Sequence, residues 1–183
     1  MKMIRFENVC DSIREAMFRF YMEQTCFDRD VCVEKIDKLV DRTFDAMSEI
    51  PNTIVAIAPG NHDHIAIDSP YVDDDWSDNV HIFTSKLQSI EFKDKGIRLW
   101  GSAFGSTYVK ESMLENANVP SDDLINICVI HGELISENQT SNYHPITPAQ
   151  IRFSKMDYVA LGHIHKRTEI LKSGDTFYAF SGC

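Results

Sequence analysis

Tyr158-Val159-Ala160-Leu161-Gly162-His163-Ile164-His165 is the most informative stretch of this chain. Its first four residues are a continuous apolar run, the pattern of a short strand buried on both faces. A glycine closes the run, and two histidines follow, two positions apart. On an extended segment such residues project to the same side, with Cα atoms separated by roughly 6.6 Å. Two imidazoles on one side are awkward unless something ties them together, and imidazole is a ligand for Mn, Fe, Zn or Ni.

Two earlier segments repeat the arrangement. Thr53-Ile54-Val55-Ala56-Ile57-Ala58 is an apolar, β-branched run that exits through Pro59-Gly60 into Asn61-His62-Asp63. Asn126 to Ile130 is another, and it delivers His131-Gly132-Glu133. Each has a plainer reading. Asn and Asp form turns through their own backbone bonds, and a histidine closing a strand is often hydrogen-bonded packing. Together they point further, because ligand atoms leaving several strands converge at one edge of a sheet, where α/β folds place their sites. Asn61, with its hard carbonyl oxygen, and His131 and His163, with imidazole nitrogens, form the candidate cluster, and His165 extends it. Gly60, Gly132 and Gly162 keep the backbone compact beside those side chains. His64 could join the cluster, with a plain structural role the favoured reading, and His81 and His144 read as surface or loop residues.

Around these segments the pattern is mixed. Apolar residues at three- and four-residue steps predict helices over residues 6–23 and 31–49, the second stopped by Ile50-Pro51-Asn52. Val80 to Phe83 reads as a short strand. Ser89 to Lys93 and Ile97 to Ala103 form a hairpin around Asp94-Lys95-Gly96. Pro120-Ser121-Asp122-Asp123 reads as a turn, and Thr147-Pro148 opens a short helix to about Phe153. A last hairpin pairs Thr168 to Leu171 with Thr176 to Phe180 across Lys172-Ser173-Gly174-Asp175. The abrupt end at Ser181-Gly182-Cys183, directly after a strand, suggests a fragment.

Composition narrows the classes. With 183 residues, 43% hydrophobic, the chain suits one domain with one buried core. No apolar run is long enough to span a bilayer and no signal-peptide stretch opens the chain, so a cytoplasmic protein is expected. Five cysteines, odd in number and without a Cys-x-x-Cys, argue against a disulfide framework or a zinc knuckle and read as reduced thiols. The net charge of −10 disfavours broad adhesion to nucleic acid or anionic membranes. Asp73-Asp74-Asp75 and Asp78, around Trp76, could hold a cation but more often such a cluster is a solvated loop.

In its motifs the chain resembles the calcineurin-like metallophosphoesterases, and the run from Asp157 to Lys166 is especially similar to the SbcD-type DNA-repair exonuclease subgroup. The likeness covers most of residues 51–183 and, more loosely, the two N-terminal helices. It implies an α/β fold, a two-sheet α/β/β/α sandwich, here incomplete at its N-terminus, as a single partial domain over residues 1–183. It implies a dinuclear divalent metal centre, usually manganese in the nuclease branch, and in-line hydrolysis of a phosphodiester. Position by position, Asn61, His131 and His163 match ligands of the second metal and His165 a ligand of the first. His62 matches the catalytic histidine that contacts the scissile phosphate and assists the leaving group. The likeness further implies DNA as a possible substrate and an ATPase partner subunit.

The departures are specific. Family members begin with a strand bearing Asp-x-His and a second bearing Gly-Asp, whose aspartate bridges both metals, and neither is present. Thr25 stands about where the bridging residue is expected, and threonine cannot replace a bridging carboxylate. Asp28 and Asp30 are the nearby acids. Three neutral donors suit one weakly held ion, and two dications without a carboxylate would repel one another. Two expectations therefore stand side by side: a metal-dependent phosphodiesterase with part of its metal site missing, and a catalytically silent relative acting as a binding or structural module.

Overall fold

The computed structural model describes residues 42, 45–67, 69–73, 76–115 and 117–182. The helix expected over residues 6–23, most of that over 31–49, and Thr25, Asp28 and Asp30 lie outside these. The chain divides into two compact units, residues 1–55 with 73–81, and residues 56–72 with 82–183. In the first, residues 45–48 are helical and the helix ends before Ile50, in line with the stop expected at Ile50-Pro51-Asn52. The Asn79 amide ties that ending down, donating to the carbonyls of Met47, Ile50 and Thr53 at 3.2, 3.2 and 3.0 Å.

The second unit is built on a six-stranded mixed sheet. Short strands β1 (Val55–Ile57) and β2 (Val80–Ile82) precede it in the chain, with a one-turn helix α1 (Pro70–Asp73) between them. The sheet strands are β3 (Gln88–Phe92), β4 (Ile97–Ser102), β5 (Ile125–His131), β8 (Tyr158–Gly162), β9 (Leu171–Ser173) and β10 (Thr176–Phe180). Two-residue strands β6 (Glu133–Leu134) and β7 (Pro145–Ile146) pair separately, in parallel. The order across the sheet is β3-β4-β5-β8-β10-β9. Its inner four strands run parallel and its two outer strands antiparallel.

The two hairpins at the edges follow local chemistry. Gly96 sits in the left-handed region at φ 65°, closing the 3-10 turn Lys93–Lys95 between β3 and β4. At the other edge the strand expected over 168–171 is displaced. Lys172 and Ser173 are ladder residues opposite Phe177 and Thr176, so the turn is the two-residue Gly174-Asp175, with Gly174 at φ 61°. A two-residue hairpin needs positive φ, and Gly174 supplies it, which sets the register by the glycine rather than by the apolar pair Ile170-Leu171.

Cys128, Ile130, Val159, Leu161, Tyr178 and Phe180 lie on the inner strands and form the core with Ile146, Ile151 and Met156. Each such aliphatic side chain contributes about 1.5–3 kcal/mol by leaving water. Helix α2 (Pro148–Ser154) covers this core through Ile151. The Thr147 hydroxyl accepts from Gln150 N–H while the Gln150 side chain accepts from Thr147 N–H, a capping box that fixes where α2 begins. At the sheet end opposite the candidate residues, buried Arg98 donates to Asp122 at 2.6 and 3.2 Å and to Glu91 at 2.7 and 3.2 Å. Among the described residues, no helix is long and apolar enough to cross a membrane.

Candidate metal centre

Parallel pairing of β5 with β8 sets His131 opposite Gly162, so the two strands release their histidines at the same level. Both exits are at the carboxyl edge of the parallel strands, the position that open α/β sheets use for ligands. The third contributor arrives from β1. Phe104 N–H, just past β4, donates to Pro59 O at 2.9 Å, and Ile65 N–H donates to Phe104 O at 2.9 Å, pinning both ends of the loop that carries Asn61. Asp63 braces it from within, accepting Gly60 N–H at 2.8 Å and the Tyr71 hydroxyl at 2.7 Å.

Three polar atoms meet there. His131 Nε2 lies 2.8 Å from Asn61 Oδ1 and 3.2 Å from His163 Nδ1. Asn61 is buried, and the two rings are half-buried and meet edge to face with centroids 5.1 Å apart. Donors held about 2.0–2.1 Å from one small divalent ion, in tetrahedral or octahedral arrangement, lie roughly 2.8–3.4 Å from one another. The observed separations fall on such ligand-to-ligand edges. All three donors are neutral when the imidazoles are unprotonated, so the cluster brings lone pairs and no countercharge. Among the described residues no group of three or more His, Cys, Asp or Glu is placed to hold a metal ion, in keeping with a set made of two histidines and an amide.

Glycine is required next to the rings by space alone. A Cβ on Gly60 would stand 2.7 Å from His131 Cε1 and Nδ1, and one on Gly132 would stand 2.6 Å from His144 O. His163 itself lies at φ 99°, outside the regions L-residues favour, a conformation that costs of order 1–3 kcal/mol. That angle also corrects an expectation. Strand β8 ends at Gly162 and the backbone turns at His163, so the alternation that would send His163 and His165 to one side does not apply. His62 and His165 are both exposed, while His64 Nδ1 lies 3.4 Å from Asn61 O.

His144, expected on the surface or in a loop, does lie outside any strand or helix but is buried, with 1% exposure. Its Nδ1 is 2.7 Å from His131 O, and its Nε2 accepts Met113 N–H at 2.7 Å. Burial holds its pKa down at about 4, so the ring is neutral at pH 7. A residue before proline is biased toward extended backbone, yet His144 sits at φ 49°, held there by its two ring bonds. His81, placed in the same class by sequence, is half-buried in β2, and burial lowers its pKa. Sequence reading also passed over Phe104, which meets both His131 and His144 edge to face, and Tyr143, which stacks on His163 at 5.1 Å. The signal available for Tyr143 was its place in Tyr143-His144-Pro145, aromatic and imidazole together before a proline.

No family model matches the chain, and no solved structure matches it. A curated bacterial protein does. The chain is 30% identical over 161 residues to YhaO of Bacillus subtilis (strain 168), whose name describes it as an uncharacterized metallophosphoesterase. That alignment takes in 85% of this chain and 38% of the relative, so the chain spans well under half the length of the protein it matches.

Proposed function

Taking as premise that likeness to a metallophosphoesterase, which supports that family for this chain, we propose that the protein is a metal-dependent phosphoester hydrolase, of the DNA-repair exonuclease-like phosphodiesterase kind. One observation carries the reading: Asn61 Oδ1, His131 Nε2 and His163 Nδ1 converge at ligand-edge distances on the carboxyl edge of a parallel sheet. These three would hold a divalent cation, manganese by the family resemblance, and His165 would serve a neighbouring one. A cation in that position supplies Lewis-acid stabilisation of phosphoryl charge and lowers the pKa of a water molecule. His62, exposed beside Asn61, is the residue that contacts the scissile phosphate and assists the leaving group.

The rest of the chain's proposed role follows from the same resemblance. The six-stranded sheet is one layer of a two-sheet sandwich, the protein works in the cytoplasm, and DNA and an ATPase subunit are its substrate and partner. The similarity of the Asp157 to Lys166 stretch to the nuclease subgroup supports the substrate class. A second reading, a catalytically silent binding or structural module, is favoured by the uncharged donor set.

Calorimetric titration of the metal-stripped chain with Mn²⁺, alongside Mn²⁺-dependent hydrolysis of a simple phosphodiester, separates the two. The enzyme reading expects ion binding and turnover that His163→Ala abolishes. Equal turnover in His163→Ala overturns it, and binding without any turnover leaves the silent module.

A further inference from the structure

His144 touches neither Asn61 nor His163 through any bond described above, yet both of its ring nitrogens have partners. Because Met113 N–H points at Nε2, that nitrogen carries a lone pair and the proton must reside on Nδ1, which then donates to the His131 carbonyl. The same residue's backbone is equally engaged. Its N–H donates to Val109 O at 2.6 Å, and its carbonyl accepts from Glu133 N–H at 3.2 Å. Three segments, around Val109 to Met113, at the end of β5 and at the start of β6, thus close on one buried residue. The His131 carbonyl it grips belongs to the peptide that leaves β5, whose N–H, on Gly132, donates to Gly162 O at 3.2 Å, so β8 and His144 hold that peptide from its two sides. Phe104 lies edge-on to both rings, its centroid 5.4 Å from that of His131 and 6.2 Å from that of His144.

We propose that His144 is a positioning residue: its Nδ1–H holds the His131 carbonyl so that the His131 ring faces Asn61 and His163. The proposal rests on the reading of those three as metal ligands, and it extends that reading to the residue that aims one of them. Partners of this kind outside the ligand set commonly change metal affinity by 10–100-fold when removed.

Two substitutions divide the two bonds of the ring. In His144→Asn the amide nitrogen takes the place of Nδ1, keeps the donor to His131 O and tolerates the left-handed backbone. In His144→Gln the amide reaches the place of Nε2, keeps a partner for Met113 and loses the donor. The first readout is made on the metal-free chain, by ¹⁵N NMR of the imidazoles. The His131 ring resonances should move in His144→Gln and stay in His144→Asn. The second is Mn²⁺ titration, in which His144→Gln should weaken binding at least about tenfold and His144→Asn less than about threefold. Thermal unfolding accompanies both, because a purely structural role would lower affinity in proportion to lost stability. The proposal is overturned if neither variant moves the His131 resonances, or if both move them equally. A wild-type chain that binds no Mn²⁺ but shows the NMR difference overturns the hydrolase reading alone and leaves His144 as the residue that orients His131.

Discussion

An alanine at position 60 would bring its methyl group within 2.7 Å of the His131 ring, while the backbone at 60 needs no glycine conformation. The strain is therefore relieved by moving the imidazole. Gly60→Ala should weaken Mn²⁺ binding about tenfold or more while costing no more than about 1–3 kcal/mol of stability, the usual range for overpacking. Calorimetry and urea unfolding on one sample check both halves. Position 163 gives the complementary case. At φ 99° an alanine is strained and a glycine is not, so His163→Gly should unfold at higher urea than His163→Ala, by about 1 kcal/mol, though both lose the ring. Equal midpoints would show that the angle stores no strain. These particulars also mark what single residues disclosed. His131 and His163 were legible because each follows an apolar strand. His144 was not, since its ring partners are backbone groups 13 and 31 positions away and leave no trace in residue type.

Helix α2 was readable because its start is written in side chains. Thr147, Pro148 and Gln150 make a cap whose partners lie three residues apart. Thr147→Ala should lower stability by about 1 kcal/mol and leave Mn²⁺ affinity unchanged, measured by urea unfolding and calorimetry. Strand β9 was misplaced for the opposite reason: its ladder residues Lys172 and Ser173 look like a turn, and only the demand of Gly174 sets the register. Strands β6 and β7, two residues each, are too short to show any period. Across β3, β4 and the turn before β5, the Arg98 guanidinium holds the carboxyls of Asp122 and Glu91 below their ordinary values. Depressed carboxylate pKa values mean stability that is complete above about pH 5 and lost as pH falls through the lower, folded values. Urea midpoints should therefore drop below about pH 5, and Asp122→Asn should flatten that drop. An unchanged profile in the variant would assign the acid sensitivity elsewhere.

Charge acts over the molecule as a whole. At −10, the chain repels the phosphate backbone except where Lys and Arg gather locally, as at the exposed Lys166-Arg167 beside His165. Binding of this chain alone to a DNA duplex should be no tighter than the ordinary non-specific range, about 10⁻⁴–10⁻⁶ M at physiological salt, as fluorescence anisotropy would show. Submicromolar binding would mean that a local basic path outweighs the net charge. The strand order was beyond sequence reading, because parallel neighbours are joined by long crossovers and nothing in Asn126 to Ile130 names Tyr158 to Leu161 as its partner. The alignment of His131 with Gly162 has a consequence for how this chain can vary through descent. A residue inserted into or deleted from β5 would turn His131 to the opposite face of the sheet, and one in β8 would move Gly162 and the turn at His163 out of line with it, either way parting the two rings. Length can drift in the exposed stretch 136–140 without that penalty. The interior of these two strands can exchange one apolar side chain for another, and its residue count is closed to change.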